Sequence, residues 1–275
     1  MIFDFITWDV SPTIFGHLRW YGLMFAIGFW IGTVIMTRMF EHERAPEKWI
    51  GILLIYTVLG TIIGARLGHV FFYEWPYYSA HPSEIIMVWH GGLASHGGVI
   101  GVVLAVVLFS IFTSKRSVLW TLDRLCVPTA LVAGLIRLGN LFNSEIFGHQ
   151  TDLPWGFIFV RAGMDVPCHP TQIYEALAYF ALFALLMWMY WKKNAEERHG
   201  LLLGTFFVWV FSARFLIEFV KNIQDGPTDA AAYAATGLNM GQWLSVPCIL
   251  IGVALLIYAF SRSPQKIDFA RPKKK

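Results

Sequence analysis

The chain has 275 residues, of which 56% are hydrophobic and only 14% charged. A soluble domain carries about 25% charged residues, so a water-soluble globule is excluded and lipid must cover the apolar surface that the chain cannot bury in itself. The net charge is only +3, and the closing run Arg271-Pro272-Lys273-Lys274-Lys275 reads as a segment facing a membrane surface on the cytoplasmic side, not as a nucleic-acid patch.

The first residues, MIFDFITWDVSP, lack a basic n-region and a small-residue cleavage site, so no cleavable signal peptide is expected. A bilayer span needs about 20 apolar residues. Hydropathy predicts seven spans, near Trp20–Phe40, Ile50–Tyr73, Leu93–Thr113, Val118–Leu138, Thr171–Trp191, Leu201–Val220 and Gln242–Phe260. The fourth is the weakest, because Asp123, Arg124 and Pro128 interrupt it. The 12 tryptophans suit interfacial belts. The expected architecture is an all-α polytopic membrane protein, one transmembrane domain over residues 1–275.

Lys/Arg asymmetry sets the expected orientation. Arg38, Arg44 and Lys48 follow span one; Lys115 and Arg116 follow span three; Lys192, Lys193 and Arg198 follow span five. The tail holds Arg262, Lys266, Arg271 and Lys273 to Lys275. These fall on one side, which is expected to be cytoplasmic. In the opposite loops, Glu74–Gly92, Gly139–Pro170 and Asn222–Gly241, only Arg161 is basic. The N terminus is therefore expected outside and the C terminus inside. The stretch Gly139–Pro170 is too polar to span and too long for a bare connector, which predicts a small periplasmic cap. Cys126, Cys168 and Cys248 have no metal-ligand spacing; neither a disulfide framework nor a metal site is expected.

Several ionisable groups fall inside or at the outer ends of spans: Arg66, His69, His96, Arg137, Glu145, Arg214 and Glu218. A charge at mid-bilayer costs on the order of 2.5–3.5 kcal/mol on insertion scales, so such groups face protein or a wet cavity. Arg214 and Glu218 are four apart and share a helix face, which also fits a simple ion pair. Arginines from several spans at one depth call for more anion than nearby carboxylates supply. A phosphate, met by the planar guanidinium fork, is the natural partner, and in a membrane its source is a lipid headgroup.

Four segments carry the remaining polar groups. In His90-Gly91-Gly92-Leu93-Ala94-Ser95-His96-Gly97-Gly98, glycines allow close approach, and His96 can take a proton near neutral pH. The run Arg137-Leu138-Gly139-Asn140-Leu141-Phe142-Asn143-Ser144-Glu145-Ile146-Phe147-Gly148 has more polar groups than helix capping needs. His169-Pro170-Thr171-Gln172-Ile173-Tyr174-Glu175 reads as a helix start whose Glu175 can neutralise an arginine. Tyr21, at the outer end of span one, fits either a belt aromatic or a site residue.

With these residues in view, the chain resembles the bacterial prolipoprotein diacylglyceryl transferases along nearly its whole length. The resemblance is carried by RWYGLMFAIGF at Arg19–Phe29, GARLGHVFFY at Gly64–Tyr73 and HGGLASHGGVIG at His90–Gly101. It continues through RLGNLFNSEIFG at Arg137–Gly148, HPTQIYEAL at His169–Leu177, RFLIEF at Arg214–Phe219 and MGQWLSVP at Met240–Pro247. The Arg137–Gly148 block is the most specific, with Ile136 where the family pattern has Gly and Leu141 where it has Phe.

The resemblance implies an inner-membrane enzyme with its active site near the periplasmic leaflet. It implies phosphatidylglycerol as donor and the lipobox cysteine of a prolipoprotein, still carrying its signal peptide, as acceptor. A thioether forms and glycerol phosphate leaves. Tyr21, His96, Arg137, Asn140, Glu145, Gly148, Arg214 and Glu218 match the family's important residues.

A chemistry consistent with this has His96 taking the thiol proton and Arg137 and Arg214 holding the phosphate. Tyr21 and Asn140 orient the glycerol and ester groups. Asn143, Glu145, Gly148, Glu218, Arg66 and His69 are expected to shape the substrate site. An arginine-stabilised thiolate with no proton acceptor is the alternative. No cofactor is expected beyond the lipid donor. The rival class is a multi-pass transporter or channel for an anionic substrate, against which stand the lack of paired halves and the clustering of charge toward one face. A serine protease built on Ser95 and His96 is disfavoured, since adjacent helical residues diverge by about 100°.

Overall fold

The computed structural model describes residues 5–222, 233–265 and 269, apart from the side chains of His90 and Ser95. The basic run at 271–275 lies outside the described residues. Seven helices are long and apolar enough to cross a bilayer. They are α1 (Trp20–His42), α2 (Lys48–Phe72), α4 (Ser95–Leu108, continued by a π-helical turn Phe109–Ser114), α5 (Val118–Phe142), α6 (Thr171–Lys193), α7 (Leu201–Ile217, ending in the 3-10 turn Glu218–Val220) and α8 (Met240–Ser261). Large apolar side chains such as Trp30, Ile55, Val99, Leu250 and Ile257 lie exposed on them. Exposed apolar groups on helices of this length are the mark of lipid-facing surface, and the chain is a multi-pass membrane protein.

The expected spans all appear, with shifted ends. The fourth runs on to Phe142, so Arg137 sits within the helix and does not close it. Pro128 lies inside it without ending it. Asp123, one of the residues that weakened that span in the hydropathy profile, is fully buried and caps α7 from a distance. Its Oδ2 accepts from the Gly200 N–H at 2.6 Å and its Oδ1 from the Leu203 N–H at 2.9 Å, two of the donors that a helix start leaves unpaired. Arg124 donates to the Glu196 carbonyl at 2.9 Å. The stretch 74–92 is more ordered than a loop: it holds α3 (Trp75–Ala80) and the 3-10 turns Pro82–Ile86 and Val88–His90.

The described residues group into two compact units, 36–122 with Phe269, and 5–35 with 123–222 and 233–265. In the first, α2 and α4 meet along glycine. A Cβ on Gly101 would overlap the Gly60 carbonyl, and one on Gly68 would lie 2.8 Å from the Gly97 Cα. Small residues let two membrane helices touch backbone to backbone, where packing and not water expulsion drives association. At the other end of this unit, Trp120 donates to Glu43 at 2.8 Å. The ring of Phe269 meets Trp49 and Trp120 edge-on, with the Arg116 guanidinium 4.5 Å from its centre.

In the second unit, α7 packs against both α6 and α8, and Leu182, Leu186, Tyr190 and Leu202 are buried. Residues 143–170 form a compact segment with a small apolar core: Leu141, Phe157, Phe159 and Cys168, flanked by Trp8, Phe147, Met164, Val166 and Ile173. The N-terminal strand β1 (Ile6–Trp8) pairs in parallel with β4 (Phe157–Phe159). The Trp8 indole N–H donates to the Leu141 carbonyl at 2.9 Å. The short hairpin β2 (Thr13–Ile14) and β3 (Leu18–Arg19) then leads into α1.

Candidate active site

In the second unit, four helix ends supply one continuous polar network. Arg137 and Asn140 come from the last turns of α5, and Gln172, Glu175 and Tyr179 from the first turns of α6. Arg214 and Glu218 come from the end of α7, and Asn239 caps α8. Helix ends are the natural place for such a network, because their unpaired backbone groups already require polar partners.

Arg137 Nε lies 2.7 Å from Glu175 Oε2. Its Nη1 donates to Asn140 Oδ1 at 3.3 Å, and Tyr179 lies close enough to act on the guanidinium electrostatically. Asn140 Nδ2 donates onward to Glu145 Oε1 at 2.6 Å, and Asn143 Nδ2 donates to the same oxygen at 3.1 Å. The Glu145 carbonyl accepts from Gln172 at 2.7 Å. The Tyr21 ring lies against Gly139, where a Cβ would come within 2.9 Å of it, and both Glu145 and Arg137 act on it electrostatically. Tyr21, Arg137, Asn140, Asn143 and Glu145, singled out from sequence, therefore fall in one cluster.

Arg214 and Glu218 are the expected i,i+4 pair, but a loose one. Nε to Oε1 is 3.7 Å, too long for a hydrogen bond, and Arg214 Nε is a buried donor with no hydrogen-bond partner among the described residues. Glu218 is fixed instead by Asn239, which donates at 3.2 Å to Oε2, and by Lys221, at 3.1 Å from Oε1. Lys221 also reaches Glu175 Oε1 at 3.3 Å. It thus joins the Arg137 arm to the Arg214 arm. Glu175, Glu218 and Lys221 are buried, with side chains 1%, 9% and 7% exposed, whereas Arg137 and Arg214 retain 20% and 36%. The carboxylates and the lysine are the buried members of the network, and the two arginine side chains stay partly exposed.

Lys221 escaped the sequence reading because it stands between the predicted end of span six and the loop counted after it. Its spacing of three from Glu218 was the available signal. Tyr179, Gln172 and Asn239 carried no comparable signal, since nothing local marks an aromatic or amide at a helix end as part of a site.

Gly148 has a packing reason to be glycine. It forms an antiparallel bridge with Lys221, and a Cβ there would overlap the Val220 carbonyl and come within 2.8 Å of the His169 Cβ. Asn222 donates to its carbonyl at 3.0 Å. Burial, and next the neighbouring His149, hold the His169 imidazole below its usual pKa, and its Nδ1 lies 3.2 Å from the Tyr174 hydroxyl. Burial pushes the Cys168 thiol up, away from thiolate character.

The other unit holds the remaining predicted residues. Arg66 is buried and donates to four backbone carbonyls: Ile85 and Glu84 at 2.8 and 2.7 Å, and Gly91 and Gly92 at 2.7 and 3.2 Å. Its guanidinium also lies 4.9 Å from the centre of the Tyr78 ring. With four of five donors so committed, Arg66 holds the 84–92 segment to α2. His69 lies 3.5 Å from Glu74 and packs under Gly92, where a Cβ would come within 2.6 Å of its ring. Gly92 also has φ +69°, which favours glycine in its own right. His96 opens α4 with an exposed side chain, its ring 5.5 Å from Phe72 and 5.6 Å from Tyr73. Among the described residues no group of three or more His, Cys, Asp or Glu is placed to hold a metal.

A family model described as prolipoprotein diacylglyceryl transferase matches residues 10–258. Proteins named phosphatidylglycerol–prolipoprotein diacylglyceryl transferase are similar over nearly their full length. The one from Porphyromonas gingivalis is 52% identical, covering 93% of this chain and 95% of the relative. That from Chloroherpeton thalassium is 51% identical over 94% and 96%, and that from Tolumonas auensis 45% over 91% and 96%. The chain belongs to the prolipoprotein diacylglyceryl transferase family.

Proposed function

We propose that this chain transfers the diacylglyceryl group of phosphatidylglycerol to the lipobox cysteine of a prolipoprotein signal peptide, in the bacterial inner membrane. The observation that carries the reading is the ion-pair network: two partly exposed arginines from different helices, linked through the buried Glu175, Glu218 and Lys221. Planar forks so held match the oxygens of one phosphodiester and need little reorganisation as its charge grows.

The reaction balances as a substitution at carbon. The cysteine sulfur, as thiolate, attacks the glyceryl carbon that bears the phosphate. The carbon–sulfur bond forms as the carbon–oxygen bond breaks, and the electron pair leaves on the phosphate oxygen of glycerol phosphate. Arg137 and Arg214 hold that phosphate and take up its added charge. Tyr21 and Asn140 orient the glycerol and ester groups, while Glu145, itself held by Asn140 and Asn143, fixes that edge of the site. Glu218 and Gly148 keep the α7 arm in register. His96 is assigned the thiol proton, as an imidazole that can act as a general base. His69 and Arg66 shape the glycine-rich approach to His96. Confining both substrates to one leaflet supplies much of the rate through proximity.

The positive loops and tail are assigned to the cytoplasm and the N terminus to the periplasm, which puts the network near the periplasmic leaflet with residues 139–170 as a cap over it. The test is transfer by the purified chain from phosphatidylglycerol labelled in its acyl chains to a synthetic lipobox peptide. The expected product is a peptide carrying diacylglyceryl in thioether linkage, with one glycerol phosphate released per turnover. A lipid flux across sealed vesicles without any peptide product would favour a transporter instead.

A further inference from the structure

Lys221 has no role in the steps above, yet it is the most completely paired cation of the network. We propose that Lys221 is a positioning residue that sets the charge of the phosphate-binding face: by holding Glu175 and Glu218 together, it leaves Arg137 and Arg214 free for the phosphate. This inference rests on the proposed function and refines it.

The backbone aims Lys221 inward. Its bridge to Gly148, the His149 N–H bond to the Val220 carbonyl at 2.9 Å and the Asn222 N–H bond to the Phe147 carbonyl at 3.4 Å pin the chain on both sides of it. Its Nζ then lies between two buried carboxylates, at 3.3 Å from Glu175 and 3.1 Å from Glu218. A buried cation is tolerated only when so paired, and buried carboxylates make the same demand in return.

The oxygens divide cleanly. Glu175 gives Oε2 to Arg137 and Oε1 to Lys221. Glu218 gives Oε2 to Asn239 and Oε1 to Lys221, with Arg214 only at 3.7 Å. Along this chain of ion pairs three cations meet two carboxylates, and Glu145, joined to Arg137 through Asn140, is a third carboxylate, so Lys221 is what brings the network to neutrality. One phosphodiester carries one negative charge. Lys221 does not touch the lipid; it supplies the balance that leaves the guanidiniums with charge to offer. Without it, two arginines face three carboxylates, and the oxygens freed on Glu175 and Glu218 compete with the phosphate for the guanidiniums.

The experiment titrates phosphatidylglycerol against purified Lys221→Met and Lys221→Arg at fixed lipobox peptide, with thermal melting in detergent as a second readout. Losing one charge of a buried network is expected to raise the KM for phosphatidylglycerol by about tenfold or more in Lys221→Met. The KM for peptide stays unchanged, and Lys221→Arg restores the wild-type value. Added phosphatidylglycerol, but not zwitterionic phosphatidylethanolamine, raises the melting temperature of wild type and Lys221→Arg and not of Lys221→Met. A Lys221→Met protein with normal KM and a normal lipid-induced shift, deficient only in folded yield, overturns the inference, as does Lys221→Arg behaving like Lys221→Met. If the wild type makes no peptide product, the proposed function fails on its own. The lipid-induced shift then decides for Lys221, and any pattern other than its selective loss in Lys221→Met counts against the proposal.

Discussion

Asn140 donates to Glu145 across 2.6 Å, and the turn between them is left-handed on both sides of Glu145, at Ser144 (φ +54°) and Ile146 (φ +62°). A β-branched residue at positive φ is uncommon and costs backbone energy, so the surrounding bonds must hold the turn in place. The bond from Thr171 Oγ1 to the Ile146 carbonyl at 2.7 Å and that from Gln172 to the Glu145 carbonyl do so. The turn brings the Glu145 carboxylate back to Asn140 at the end of α5.

Asn140→Ala therefore removes an acceptor from Arg137 and one of the two amide donors from Glu145. Hydrogen bonds to charged groups are worth about 1.5–3 kcal/mol, which is a fall of about 10- to 100-fold in transfer rate if the change is felt in the transition state. Steady-state kinetics alongside thermal melting check this: kcat/KM should fall much further than folded yield.

His96→Gln keeps a polar side chain at the start of α4 and removes the imidazole. General-base catalysis contributes about 10²–10⁴-fold, and a loss of that order in turnover is expected. Raising the pH, which ionises the free thiol without help, should recover part of it. Near-normal turnover at neutral pH would remove His96 from the base role and leave the arginine-stabilised thiolate.

The His169 imidazole gives the segment 143–170 a pH dependence. Its pKa is lowered in the folded protein, first by burial and then by His149, so the unfolded chain binds the proton more readily. Stability is thus complete above the unfolded value of about 6.5 and is lost as pH falls through that value toward the folded one. Melting temperature measured from pH 8 to pH 5 should decline below about pH 6.5, and His169→Gln should flatten part of that decline. An unchanged slope in the variant would assign the decline to other groups.

The α2–α4 seam predicts a different failure. In Gly101→Ala the new methyl would overlap the Gly60 carbonyl, a backbone atom that cannot swing aside. Overpacking of this kind costs about 1–3 kcal/mol or more. The variant should melt earlier and yield less folded protein, while Gly16→Ala, in the β2–β3 hairpin, where nothing lies within 4 Å of the added carbon, tests only the left-handed backbone.

Much of the fold is legible in hydropathy because lipid imposes a length and an apolar composition on every span, and all seven expected spans are helices of that kind. The block from Arg137 to Glu145 is legible for a related reason: that many polar groups after an apolar run have no place in lipid. What hydropathy hides is pairing at long range. Asp123 weakens its own span in a linear reading, yet it caps a helix 77 residues away in sequence. Arg66 looks like an anion binder until its carbonyl partners are located. Lys221 looks like the edge of a loop, and its meaning depends on Glu175, 46 residues earlier. Charge that serves the fold and charge that serves chemistry have the same composition and differ only in what stands opposite.

The most direct measurement of the central claim is a double-mutant cycle on transfer kinetics with Arg137→Ala, Arg214→Ala and the pair together. Two groups that grip one phosphate act as a unit, so either single variant should lose most of the activity and the double should be little worse than the worse single. Losses that simply multiply, or a single variant that turns over at the wild-type rate, would contradict a shared phosphate and with it the account of how this enzyme holds its lipid.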